Sequence, residues 1–359
     1  MTLSPAELDK LQLIRTTGVG PVAFRQLLAR FGDAATALRA VPDLARRGGG
    51  TPRKVASREH VEQEANTVAR LGARYLFVGD PAYPSLLAEL DTAPAALTLR
   101  GRLDLFEQPA VAIVGARNAS AAACRFARGL AYDLAEQGVL VVSGLARGID
   151  TAAHQGATRS TAAVIASGID KAYPPENAEL QEQVATAGIL IAEQPPGVEP
   201  LARHFPYRNR IIAGLSLGTV VVEAAPKSGS LITARLAGEA GRDVMAVPGS
   251  PLDPRAQGCN QLIREGATLV QNAADVLETI RPLGGGVRAV RDGFVPAPPQ
   301  AEPDDRERAA VRELLGHTPV PVDELVRLAN LHPAAVSAVL LELELGGHLT
   351  RHAGGRVSA

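Results

Sequence analysis

The residues best equipped for chemistry lie in one short stretch, Phe205-Pro206-Tyr207-Arg208-Asn209-Arg210-Ile211-Ile212-Ala213-Gly214-Leu215-Ser216. Arg203 and His204 stand just before it, and no acid occurs between Leu201 and Leu217. Only 3% of the chain is aromatic and Trp is absent, so grouping rings with several guanidinium groups is unusual here. Guanidinium forks hold phosphate through paired hydrogen bonds, and an exposed ring offers a face on which a base can stack. The same pattern also describes the start of a helix, with Phe205 in the core and the arginines in surface salt bridges. Both readings stand at the level of this stretch.

Other groups with catalytic potential are sparse. Asp150 and His154 are spaced i, i+4, which suits either a pair on one helix face or a helix cap beside a satisfied histidine. Glu223 precedes Ser228 and Ser230, a nucleophile-like grouping with no evident base. Ser230 reads better as the start of a helix capped by its own hydroxyl. The loop Gly115-Ala116-Arg117-Asn118-Ala119-Ser120 lacks the three-glycine dinucleotide fingerprint, and no Gly-x4-Gly-Lys-Ser/Thr loop occurs. Neither nucleotide hydrolysis nor a cofactor is therefore expected. Cys124 and Cys259 are the only cysteines and lack metal-ligand spacing, so no metal is expected and a reducing cytoplasm suits them.

These residues need elements to position them. Short aliphatic runs at Val111–Val114, Val139–Ser143, Thr161–Ala166, Gly188–Ala192, Thr219–Glu223 and Asp243–Val247 read as buried strands. Amphipathic stretches such as Ser120–Gln137 and Leu231–Ala240 lie between them. Non-alternating Val/Ile strands interleaved with helices imply a doubly wound parallel α/β sheet covered on both faces. Ligands of such sheets sit beyond the carboxyl ends of the strands. Those ends carry Gly115 to Asn118, Ser143 to Gly148, Ser167 to Asp170, Glu193, Glu223 to Ser230, and Pro248 to Ser250, a set that is mostly small, polar or cationic. Glycines there let backbone N–H groups approach an anion.

The flanks read differently. Residues 1–75 are helical, with Leu8, Leu11, Leu13 and Ile14 on one face and Phe24, Leu27, Leu28 and Phe31 on another. Gly18-Val19-Gly20-Pro21 lies between these two runs. This is either a helix-hairpin-helix, whose turn offers N–H groups to a phosphate, or a plain helical hairpin. Arg46 to Gly50 reads as a Gly-rich loop and Val61 to Leu71 as a further helix. Tyr75 to Glu107 is rich in proline and reads as an extended, packed connector opening the 76–281 α/β domain. Residues 282–304 read as a linker. The remainder, 305–359, has a winged-helix pattern. Its third helix, Pro333–Leu345, carries Glu342 and Glu344 and no Lys or Arg, which favours a structural or protein-binding use over a grip on DNA.

A net charge of −1 excludes a bulk polycation, so any nucleic-acid contact must come from local patches. The first residues lack a signal-peptide pattern and no apolar run is long enough to span a bilayer, which gives the expectation of a cytoplasmic protein without membrane contact.

The middle domain resembles the DNA-processing protein A family, DprA/Smf. The strings that carry the resemblance are Val111 to Arg117, Ser143 to Asp150, Gly168-Ile169-Asp170 with Tyr173-Pro174-Pro175-Glu176-Asn177, Phe205 to Ser216, Gly229 to Arg235 and Val247-Pro248-Gly249. They run in order over roughly residues 80 to 270. The resemblance implies an extended Rossmann domain with helical N-terminal and winged-helix C-terminal modules. It implies a homodimer that binds single-stranded DNA, protects incoming strands in natural transformation and loads RecA recombinase, without catalysis. Carried over by position, Arg117 clamps a backbone phosphate and Phe205 stacks a base, with Arg208 and Arg210 nearby. Gly144, Gly168, Gly229 and Ser230 supply backbone and hydroxyl donors, and Gly115 and Arg203 border the same surface. Arg147 either meets phosphate or pairs with Asp150, and Asn209 either meets the ligand or shapes the loop. Ala116 stands where many relatives have Ser or Thr, and Pro175 where many have Lys. Two rival readings remain: an enzyme acting on nucleoside phosphates through Glu223, and a scaffold whose terminal modules do the DNA work.

Overall fold

Ser4 opens the chain's first helix by a capping box: its hydroxyl receives the Glu7 N–H while the Glu7 carboxylate receives the Ser4 N–H. Pro5 follows at a position where a missing N–H costs nothing. In the computed structural model, residues 3–51, 54–280, 302–352 and 354–359 are described. The linker expected at 282–304 lies outside them except for 302–304. The described residues cluster into two compact units, Met1–Asn66 with Asp292–Ala359, and Thr67–Arg291.

Helices α1 (Pro5–Arg15), α2 (Pro21–Phe31), α3 (Ala34–Arg47) and α4 (Arg58–Arg70) open the chain. Leu11, Leu13, Phe24, Leu27, Val41 and Leu44 are fully or almost fully buried on their inner faces. Arg15 and Glu64 tie α1 to α4 with a 2.8 Å ion pair. Helix α3 continues through Arg46 and Arg47, so the glycine-rich loop begins only at Gly48.

The second unit follows as β1 (Arg74–Phe77), α5 (Ser85–Ala88), β2 (Ala96–Gly101), β3 (Ala110–Val114), α6 (Ala121–Glu136), β4 (Leu140–Ser143), α7 (Ile149–Gly156) and β5 (Thr161–Gly168). It continues as α8 (Ala178–Ala187), β6 (Ile189–Gln194), α9 (His204–Leu215), β7 (Gly218–Val221), α10 (Gly229–Glu239), β8 (Asp243–Ala246), α11 (Gln257–Arg264), β9 (Thr268–Leu269) and α12 (Ala273–Ile280). The nine described strands form one sheet in the order β1-β2-β6-β5-β4-β3-β7-β8-β9. From β6 to β9 all neighbours are parallel, whereas β2 runs antiparallel to both β1 and β6. The order reverses between β3 and β7, which is the switch point of a doubly wound sheet.

Side-chain alternation divides the aliphatics of β3 between two cores. Ala110, Ala112 and Val114 of β3 face Ile211, Ile212 and Leu215 of α9, whereas Val111 and Ile113 face Ala127, Leu130 and Leu134 of α6. Burying each such Val, Leu or Ile contributes about 1.5–3 kcal/mol relative to exposure. The six strands expected from the sequence are all present. The proline-rich connector, by contrast, contains two strands, β1 and β2, with Leu99 paired to Ile191 of β6. Its prolines, Pro81, Pro84 and Pro94, fall in the turns between the strands, where no ladder N–H is needed.

Helices α13 (Asp305–Leu314), α14 (Val322–Ala329) and α15 (Pro333–Gly346) alternate with short strands β10 (Val320–Pro321), β11 (Thr350–His352) and β12 (Arg356–Ser358). These strands pair as β10-β12-β11, completing a winged helix. Val311, Leu325, Val336, Val339, Leu340, Leu343 and Val357 form its core. Helix α15 belongs to the same unit as α1–α3 and is buried on more than one side: Leu341, Glu342 and Leu345 are at most 1% exposed. No single helix among the described residues is long and apolar enough to cross a membrane.

Candidate nucleic-acid interface

The loops after β3, β4 and β5 and the start of α9 enclose one cavity, lined by Arg117, Gly144, Ala146, Arg147, Ala166, Tyr173, Pro174, Pro200, Phe205 and Arg208. It lies at the carboxyl ends of parallel strands, where the fold places ligands. The loop after β7 does not line it.

The loop after β4 is held by two groups of α7. Asp150 Oδ2 accepts the N–H groups of Gly144 (3.1 Å) and Ala146 (3.4 Å), and His154 Nε2 accepts that of Leu145 (3.3 Å). Because Nε2 accepts, Nδ1 carries the proton and points to Thr161 Oγ1 at 2.7 Å. Burial pushes the His154 pKa down to about 3, keeping the ring neutral. From the next loop, Asn177 Nδ2 donates to the Leu145 carbonyl at 2.8 Å. Leu145 sits in the left-handed region, φ 54°, an arrangement tolerated because its surroundings fix both of its peptide groups. Asp150 and His154 are thus loop builders.

This bonding corrects the role expected for the glycines. The Gly144 N–H is spent on Asp150, and the Gly168 N–H donates to the Val198 carbonyl at 2.8 Å, so neither is offered to an anion. Their smallness matters instead. A Cβ on Gly144 would lie 1.6 Å from Arg208 Nη1, one on Gly168 2.4 Å from the Pro195 oxygen, and one on Gly115 2.6 Å from Ile149 Cγ1. Gly229 begins α10 away from the cavity, its carbonyl receiving Asn209 Nδ2 at 3.4 Å. The helix cap there is Ser228 rather than Ser230, and the two hydroxyls share a 2.8 Å hydrogen bond.

The arginine stretch is helical from His204 onward, so three of its polar residues are deep: Arg208 is 7% exposed, and Asn209 and Arg210 are likewise buried. Arg208 Nη2 donates to the Gly144 carbonyl at 3.1 Å, while its buried Nε has no hydrogen-bond partner among the described residues. Burial brings its pKa down to about 10, opposed by Asp150 nearby, and the Asp150 carboxyl is itself raised by burial and drawn back by Arg208. Arg210 is committed to Glu193 at 2.5 Å. Arg147 pairs with Glu176, not with Asp150. Arg203 is an exposed residue at the amino end of α9.

Arg117 differs from all of these. It is exposed, and its guanidinium carbon lies 5.1 Å from the centroid of the half-buried Phe205 ring. Tyr173, which belongs to one of the family-like strings but is not among the expected site residues, adds a second ring, its centroid 5.7 Å from that of Phe205 at an interplanar angle of 60°. Its signal in the sequence is its place in the loop after the third parallel strand. The cavity therefore offers guanidinium groups and aromatic rings rather than a cradle of amides. That arrangement suits one phosphate and one flat ring.

Glu223, the acid of the rival enzyme reading, accepts at 2.8 Å the N–H of Ser120, the residue that caps α6. The hairpin turn between α1 and α2 also has a neighbour. A Cβ on Gly20 would lie 3.7 Å from Glu344 Oε1, so a carboxylate of α15 stands where a phosphate would approach.

Residues 74–281 match the family model of DNA recombination-mediator protein A, residues 5–67 a DprA-like N-terminal HHH domain, and residues 295–355 a DprA winged helix domain. Protein Smf of Synechocystis is 34% identical over 94% of this chain and 95% of its own length. DNA processing protein DprA of Streptococcus pneumoniae is 47% identical over 55% of this chain and 71% of its own. The crystal structure of the pneumococcal protein superposes with a TM-score of 0.64 at 37% identity, covering 77% of this chain and 98% of that one. A Helicobacter pylori DprA structure, described for its single-stranded DNA binding mode, gives a TM-score of 0.54 at 28% identity, covering 58% of this chain and 95% of that one. With all three of its modules matched in order, this chain belongs to the DNA recombination-mediator protein A (DprA/Smf) family.

Proposed function

We propose that this protein binds single-stranded DNA in the cavity at the carboxyl ends of β3, β4 and β5, without catalysing a reaction on it. The observation that carries this reading is Arg117, an exposed guanidinium without an ion pair among the described residues, laid over Phe205 beside Tyr173. The single-stranded DNA named for the Helicobacter pylori relative supports it. Backbone contacts through arginine make binding weaken with salt, and ring stacking makes it tolerant of sequence. Glu223 is engaged in holding the cap residue of α6, which supports a non-catalytic role.

Within this reading, the protein works in the cytoplasm as a homodimer, protects incoming strands in natural transformation and recombination, and hands them to RecA recombinase. Two sites on one strand would add avidity. The test is fluorescence anisotropy of labelled single- and double-stranded oligonucleotides at two salt concentrations, with wild type and Arg117→Ala. Single-strand preference that weakens with salt and collapses in the variant supports the cavity as the site. Equal binding of both forms, or an indifferent variant, moves the DNA site elsewhere. RecA filament growth on a strand precoated with the protein, compared with a bare strand, tests the handover.

A further inference from the structure

Helix α6 follows the loop that carries Arg117, and as the crossover between parallel strands β3 and β4 it runs from the carboxyl edge of the sheet toward the other edge. Its outward side has an unusual composition. No acid occurs from Gln108 to Tyr132, a span that includes Arg117, Arg125 and Arg128. At about 100° per residue, Ala121, Arg125, Arg128 and Tyr132 fall within about 60° of one another around the helix, and all four are exposed. Tyr132 leaves 55% of its surface to solvent.

Exposed arginines on other helices of this chain meet a carboxylate one turn away, Arg46 with Asp43 at 2.8 Å and Arg235 with Glu239 at 3.1 Å. On α6 the residues one turn on from Arg125 and Arg128 are Gly129 and Tyr132. The two arginines are themselves i, i+3, a like-charge spacing that is unfavourable until an anion relieves it. Neither has an ion pair among the described residues, and Arg128 donates instead to Gln155 Oε1 of α7 at 2.6 Å. The helices lie close there, since a Cβ on Gly156 would fall 2.2 Å from the Arg128 carbonyl oxygen. Arg128 is thus held by a neutral partner that leaves its charge uncompensated. Acid returns with Asp133 and Glu136, past the last arginine.

Building on the single-strand reading, we propose that this stripe is the track along which the strand leaves the cavity. The backbone passes from Arg117 over the small side chains of Ala121 and Ala122 to Arg125 and Arg128, and a base stacks on Tyr132. Uncompensated guanidinium groups draw phosphate, and an exposed ring takes a base of any sequence. The track is continuous with the cavity, because Arg117 and Asn118 are exposed at its head. From Ala121 to Tyr132 the helix rises about 16 Å, which adds phosphates that the cavity alone does not reach. A single strand bends readily from the cavity onto the helix, whereas a duplex is stiff over such a distance.

The experiment measures, by anisotropy at two salt concentrations, the affinity of the full chain for oligothymidylates of increasing length. Wild type is compared with Arg125→Gln, the double variant Arg125→Gln/Arg128→Gln, Tyr132→Leu and Tyr132→Phe. Arg74→Gln, an exposed position on the outermost strand β1, is the control for net charge. All these side chains are exposed, and thermal unfolding confirms that each variant is folded. Wild-type affinity is expected to keep rising beyond the length at which the double variant levels off. On the longest strand the double variant binds about ten-fold or more weaker, with a salt slope lower by about 1.4, whereas on the shortest strand it matches wild type. Tyr132→Leu loses about five-fold on the longest strand alone, and Tyr132→Phe recovers it. Wild-type length dependence in the double variant overturns the proposal. So does an equal loss in Arg74→Gln and Arg125→Gln, which reduces the effect to net charge. A wild type that binds no length of single strand, or short-strand binding that survives Arg117→Ala, refutes the underlying cavity reading and the track with it, an outcome distinct from the other two.

Discussion

Gly144 and Arg208 occupy adjoining space so closely that a Cβ on the glycine would fall 1.6 Å from the arginine Nη1. The glycine exists here to admit a buried guanidinium, which in turn donates to the Gly144 carbonyl and offsets the charge of Asp150. Gly144→Ala is expected to push Arg208 out of place and cost about 1–3 kcal/mol, as overpacking does. The check is a double-mutant cycle by urea unfolding with Arg208→Ala. The cost of the alanine shrinks when the guanidinium is absent; an equal cost in both backgrounds would deny the relationship.

Arg117 and Arg210 should separate cleanly despite being matched in type. Arg117 is exposed, so Arg117→Ala leaves the unfolding midpoint unchanged and lowers the slope of log affinity against log salt by roughly 0.7–1, one phosphate contact. Arg210 is buried against Glu193, and removing it leaves that carboxylate poorly compensated. Arg210→Ala is expected to cost about 1–3 kcal/mol of stability and to leave the salt slope of the folded protein unaltered. Calorimetry and salt titrations on the same preparations decide both.

The contrast between these arginines shows what the sequence could and could not disclose. Periodicity located the sheet, its helices and the winged helix, because aliphatic spacing is local. The burial of Arg208 and Arg210 is not local: their partners, Gly144, Asp150 and Glu193, come from other strand ends. Glycines were legible as a group but ambiguous in purpose, since a close approach and an amide cradle call for the same residue. At Gly144 and Gly168 the approach won. Tyr173 was legible as part of a strand-end loop but not as a site residue, because only the fold sets its ring against Phe205.

Acid should loosen the fold through His154. Its pKa falls from 6.5 to about 3 in the folded protein, so between those values the unfolded chain binds a proton that the folded one refuses. The stabilisation is complete above about pH 6.5 and erodes as pH falls toward 3, by at most about 1.4 kcal/mol per pH unit. Buried Asp150 acts with the opposite sign, since its carboxyl is raised and takes up a proton more readily in the folded state. The readout is therefore a difference: from pH 7 to 4.5, the unfolding midpoint of wild type should drop more steeply than that of His154→Gln. Parallel curves would exonerate the histidine.

Helix α15, the counterpart of a recognition helix, is fixed by its own unit. A Cβ at Gly48, just past α3, would lie 1.9 Å from the Glu342 carbonyl oxygen, and one at Gly50 2.2 Å from that of Gly346. Here backbone meets backbone, which explains glycines that look like a loose loop in the sequence. Across the winged helix, the side chain of Glu342 takes both prongs of Arg308, at 2.8 and 3.1 Å, and is 1% exposed. Glu342→Ala is expected to cost about 3–5 kcal/mol, because it leaves Arg308 without its buried counter-charge. Gly48→Val acts from the other side, forcing α3 and α15 apart. It should lower the unfolding midpoint and open α15 to limited proteolysis, cleavage that wild type resists. If α15 were a DNA reader held in reserve, releasing it would raise duplex affinity. Glu342 and Glu344 on the released helix repel phosphate, so duplex affinity is expected to stay at the wild-type level, and a rise in Gly48→Val would assign α15 the DNA-reading role that its charge argues against.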